Sequence, residues 1–149
     1  MTDSDFVDAF EACTLTTFHH RDHVRLAWIY LRDLPLLGAL ERFTTSLQRF
    51  AAANGRPELY HATITWAYLL LIHERMERMP ADDFESFARG NADLLTWKPS
   101  VLDVYYDRAT LDSELARRTF VMPSRSDPQM TQMNAAPSAD QTAHYETLR

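Results

Sequence analysis

Five of the six histidines in this chain fall between His19 and His73, and their spacing is the feature most able to do chemistry. His20 and His23 stand at i,i+3, and His19 and His23 at i,i+4. On a helix either pair shares a face and can hold one metal ion. His61 offers a third imidazole from a separate segment. Three imidazoles around an open coordination position make a reactive centre for zinc, iron or a similar divalent metal, so His20, His23 and His61 are the candidate metal ligands. Glu58, a turn before His61, or Asp103 from a later segment could complete or orient them. In a hydrolytic version the metal would lower the pKa of a bound water, and His61 or a carboxylate would handle protons. No Glu occupies the position that an H-E-x-x-H metalloprotease helix requires, and no His-Asp dipeptide occurs.

The same residues allow a metal-free site. His61 could act as a general base, with Thr65 or Tyr68 orienting its partner, which makes His61, Thr65 and Tyr68 the candidate catalytic group. Tyr30, Tyr60, Tyr105 and Tyr106 add hydroxyls that could line a small-molecule pocket. The plainer reading is structural: His20 and His61 are core histidines satisfied by hydroxyls or backbone, and the protein is a non-enzymatic interaction or scaffold protein. Cys13 is a weak candidate nucleophile, because no spacing brings it to the histidines. Trp28, Trp66 and Trp97 read as core residues.

Positioning these side chains falls to two helices. The stretch over 58–75 is nearly all apolar in its middle and predicts a central buried helix near 58–78. At about 100° per residue His61, Thr65, Tyr68 and Ile72 form one narrow stripe along it. A buried polar stripe needs a polar partner, and the histidines of a helix over about 20–33 supply one. The expectation is a pocket between the two, lined by His20, His23, His61, Thr65 and Tyr68. Around them the pattern predicts a short helix capped by Ser4, an amphipathic helix over 36–53 stopped by Asn54-Gly55, and a short helix capped by Asp82. One turn near Asp93, a short helix over 100–106 and a last helix over 110–120 with Leu111, Leu115 and Phe120 inward complete the set. No strand alternation, internal repeat or heptad pattern appears. The fold class is therefore all-α, a compact bundle of about five to seven helices.

Composition narrows the function classes. The 149 residues are 46% hydrophobic, enough for one domain with a real core. Three glycines disfavour a Gly-rich phosphate loop. A net charge of −6 argues against general affinity for nucleic acid. The longest apolar run is far short of a membrane span, the N-terminal residues are unlike a signal peptide, and the lone Cys13 excludes an intrachain disulfide. A soluble cytoplasmic protein is the expectation, with a small molecule as partner and a homo-oligomer through an amphipathic helix as an option. Residues 1–122 read as a single helical domain. Residues 123–149 are poor in large apolar groups apart from methionines and read as a flexible tail.

The runs F-H-H-R-D-H-V-R-L-A-W-I-Y-L and L-Y-H-A-T-I-T-W-A-Y, with Y-Y-D and A-R-R-T-F-V-M-P further on, resemble a group of small bacterial all-helical proteins to which no activity is firmly attached. The likeness covers about residues 5–123 and implies a bacterial stand-alone domain. It supplies no catalytic residues. A weaker analogy is to the DinB-like helical bundles, which bind a metal through three histidines from different helices. His20, His23 and His61 could imitate that arrangement, although their spacing departs from it.

Overall fold

The computed structural model describes residues 1–125, and every regular element among them is helical. In chain order these are α1 (Asp3–Glu11), α2 (His20–Asp33), α3 (Leu36–Ala53), a 3-10 turn (Pro57–Leu59), α4 (Ala62–Arg78), α5 (Phe84–Gly90), α6 (Ala92–Leu95), a second 3-10 turn (Val101–Val104), α7 (Arg108–Leu111) and α8 (Glu114–Arg118). None of the helices among the described residues is long and apolar enough to cross a membrane.

The long helices follow the apolar pattern. In α3 the residues recurring at three and four put Ala39, Phe43 and Leu47 into the core. Asn54 caps its end, and Gly55 takes the left-handed conformation at φ +71° that reverses the chain. Helix α2 is buried on most sides in its middle, where Val24, Leu26, Ala27, Trp28, Ile29 and Tyr30 are all covered. It packs on α3, α4, α5 and α6, so it shares the centre of the bundle with α4. Helix α1 lies against α3 and starts in a capping box: the Thr2 hydroxyl accepts from the Asp5 amide at 3.0 Å, and the Asp5 carboxylate accepts from the Thr2 amide at 3.2 Å. The cap is thus Thr2 and not Ser4.

Two departures from the sequence pattern matter for the site. The predicted helix over 58–78 does not begin at Pro57. Pro57–Leu59 form a 3-10 turn, Tyr60 is extended, and His61 is the N-cap of α4 at φ −133° and ψ 111°. The last predicted helix is split by Ser113, whose hydroxyl accepts from the Ala116 amide and starts α8 afresh. The restart changes the helical phase, so Ala116 is buried while Leu115 is 50% exposed. Asp83, not Asp82, caps α5.

The core comes in two parts. The larger cluster joins α1 through α6, with Phe10, Leu26, Leu69, Ile72 and Leu94 fully enclosed. A smaller one gathers Ala67, Tyr68, Leu102, Tyr106 and Leu111, between α4 and the segments that follow the second 3-10 turn. Helix α4 is tied to the end of the fold by Thr63, whose hydroxyl donates to the Thr119 carbonyl at 2.8 Å and accepts from the Val121 amide at 3.1 Å. Residues 123–125, the start of the predicted tail, are docked: the Arg125 amide donates to the Tyr105 carbonyl at 2.8 Å. The rest of that predicted tail, 126–149, lies outside the described residues.

Candidate functional site

A cavity of about 260 Å³ opens where the two core clusters meet. Helix α2 contributes His20, His23 and Val24, α3 contributes Phe43 and Leu47, α4 contributes Ile64, Thr65, Tyr68 and Ile72, and Trp97 closes one side. Four of the five residues expected to share a pocket therefore do so: His20, His23, Thr65 and Tyr68. The fifth, His61, is absent from the cavity wall.

The reason lies in the break before α4. As N-cap, His61 turns its ring back onto its own helix. Its Nδ1 accepts from the Ile64 amide at 3.1 Å, and its Nε2 lies 2.7 Å from the Leu111 carbonyl oxygen. A carbonyl only accepts, so Nε2 carries the proton and Nδ1 spends its lone pair on the backbone. Both nitrogens are occupied and the ring is buried. In this arrangement His61 has no uncommitted lone pair to offer a metal. Among the described residues no group of three or more His, Cys, Asp or Glu side chains is placed to hold a metal ion. Glu58 instead pairs with Arg56 at 2.9 Å and Asp103 closes the Ser100 capping box.

His20 is held differently. Its Nε2 sits 2.7 Å from the Leu94 carbonyl. That contact fixes the Nε2–H tautomer and leaves Nδ1 unprotonated. The ring meets Tyr68 edge-on and Trp97 at a tilt, each at 5.0 Å between centroids. Burial pushes its pKa below the ordinary value, against the opposing pull of the Leu94 carbonyl.

His23 is the group least committed to the fold. Its ring packs on Phe18 at 4.3 Å, and no side-chain hydrogen bond engages it among the described residues. One side faces the cavity, so protein covers it only in part. The surroundings are nonetheless apolar enough that burial, helped by the neighbouring His20, lowers its pKa to about 4. At neutral pH it is an uncharged imidazole with one donor and one acceptor.

On α4 the Thr65 hydroxyl donates to the His61 carbonyl at 2.7 Å, keeping its oxygen as an acceptor. The Tyr68 hydroxyl is 2.7 Å from Ser100 Oγ, and Ser100 also caps the second 3-10 turn by accepting from the Leu102 amide at 3.1 Å. Burial raises the Tyr68 pKa, so the phenol stays protonated. Every polar group on the wall is therefore neutral at pH 7. Among the described residues the site holds imidazole and hydroxyl groups in an apolar frame, with no carboxylate and no guanidinium.

Sequence reasoning missed Trp97 and Ser100. Trp97 is 47% exposed and stacks on Tyr68 with centroids 6.3 Å apart, so it is a cavity wall and not core. Its position in a Pro-broken stretch, where no helix could bury it, was the available signal. Ser100 could have been read as a cap from the S-x-x-D pattern that it begins with Asp103. Comparison of the chain with protein-family models, with curated proteins and with solved structures gives no match.

Proposed function

We propose that this protein binds a small, uncharged and mainly apolar molecule in the cavity between α2, α3 and α4. The observation that carries the reading is the wall itself: an apolar enclosure of about 260 Å³ holding a few convergent polar groups, which is the usual make-up of a small-molecule site. His23 supports it further. A core histidine kept only for structure ordinarily spends its ring nitrogens on protein partners, as His61 does, whereas the imidazole of His23 has none among the described residues. The scaffold reading accounts for His61 and leaves His23 unexplained.

Among the described residues a metal in the same cavity would have only His20 and His23 as imidazole donors, because His61 is bonded to backbone on both sides. The small-molecule reading is favoured for that reason. Its test uses p-cresol, a neutral aromatic alcohol, with thermal unfolding as readout. The melting temperature is expected to rise with p-cresol concentration, because a ligand of the folded state stabilises it. Val24→Phe projects a ring into the cavity and should remove the response while the variant still unfolds cooperatively. Zinc(II) added to untagged protein should leave the melting temperature unmoved. A response to zinc that is abolished in His20→Ala, with none to p-cresol, would reverse the choice.

A further inference from the structure

A second cavity, of about 200 Å³, adjoins the first. Three residues line both: Leu47, His23 and Thr65. These three side chains are walls common to both spaces, and two of the three are polar. Beyond them the second cavity is mainly apolar, with Phe18, Phe50 and Leu59 on its walls beside the more polar Asn54 and Tyr60. Its one charged lining residue among the described residues, Arg56, has a side chain 61% exposed and already paired with Glu58 at 2.9 Å. The composite space is thus mainly apolar on both sides of a waist that carries two polar side chains.

We infer that a single elongated, uncharged molecule with a hydroxyl near its middle occupies both cavities at once, passing between Leu47, His23 and Thr65. This rests on the small-molecule reading of the first cavity and goes beyond it in shape and chemical class. The waist offers an acceptor at Thr65 Oγ1, whose proton is committed to the His61 carbonyl. It also offers one donor and one acceptor on the neutral His23 ring. A hydroxyl both donates and accepts, so it can satisfy the two together. A charged group has no counter-charge at the waist, and its desolvation would go uncompensated. Apolar arms on each side of the hydroxyl fill the two chambers and displace water from them.

The experiment compares 5-nonanol, 1-nonanol and nonanoate by titration followed in methyl NMR spectra of the full chain. The Ile72 methyls report the first cavity alone, and the Ala51 methyl the second alone. With 5-nonanol both sets should shift together, with one dissociation constant and a stoichiometry of one. Binding should be about fivefold tighter than for 1-nonanol, the value of one well-made hydrogen bond, and tighter again than for nonanoate. Ala51→Phe, which narrows only the second chamber, should weaken 5-nonanol at least fivefold and leave p-cresol unchanged. Shifts confined to Ile72 would overturn the spanning ligand while sparing the single-cavity reading. Two independent constants, or equal or tighter binding of 1-nonanol or nonanoate, would overturn it too. No shift at either methyl with any of the alcohols, p-cresol included, would remove both readings.

Discussion

His61 and His23 show how two imidazoles of one sequence take opposite roles. His61 fills both of its hydrogen-bonding positions with backbone, one at the start of its own helix and one on the Leu111 carbonyl. Removing that ring takes away a helix cap, worth about 1 kcal/mol. It also leaves a buried carbonyl unpaired, which costs about 1–3 kcal/mol more. His61→Ala should therefore lose about 2–4 kcal/mol in urea denaturation, and His61→Asn, which can still cap, should recover part of it. A loss below about 1 kcal/mol would mean that the ring is not held between these partners. His23, by contrast, is held in place by packing on Phe18 and by its helix, and its polar atoms are left to the cavity.

At the level of elements, the site depends on where helices stop. The interruption at Tyr60 and His61 turns the first ring of the polar stripe away, and the stripe that survives on α4 is Thr65, Tyr68 and Ile72. The second 3-10 turn braces that stripe. Ser100 caps the turn through the Leu102 amide and holds the Tyr68 hydroxyl at 2.7 Å. Ser100→Ala removes both contacts and should cost about 1–2 kcal/mol of stability by urea denaturation. Because Tyr68 forms part of the cavity wall, p-cresol affinity should fall a few-fold in the same variant. Unchanged stability and affinity together would show that the turn does not brace Tyr68.

For the whole molecule, the buried histidines make stability depend on pH. Above the ordinary histidine pKa of 6.5, His23 is neutral folded and unfolded and adds no dependence. As pH falls below 6.5 the unfolded chain takes up the proton first, because the folded pKa is depressed to about 4. Stability therefore declines as the medium is acidified through that window and levels off below it. The loss is bounded by about 3 kcal/mol, less whatever water in the cavity screens. His20 acts in the same direction, since burial lowers its pKa too. The carboxylates of Glu11 and Asp93, whose pKa values are held down by Arg42 and Arg75, begin to contribute their own loss as pH falls through their ordinary values of 4.5 and 3.8, at the acid end of this window. Urea denaturation at a series of pH values should show a decline from 6.5 towards 4 that is flatter in His23→Leu. An identical slope in the variant would rule out His23 as its source.

The helical class, the span of α3 and the pairing of α2 with α4 were legible in the residues, because they rest on local periodicity and on turn chemistry such as Asn54-Gly55 and the prolines. So was the placing of His20 with His23, and of Thr65 with Tyr68, on one face of each helix by helical spacing, while the meeting of the two faces on one cavity belongs to the tertiary structure. The position of His61 was not legible. Its spacing from Thr65 fits a continuing helix, and only the chain path through Pro57–Tyr60 and the distant Leu111 carbonyl, 50 residues on, decide that it caps instead. Trp97 as a wall, Leu115 in solvent and the second chamber behind His23 were likewise decided in three dimensions. Each depends on how far separate helices approach one another, a distance set by all the packed side chains together and by no single stretch of sequence.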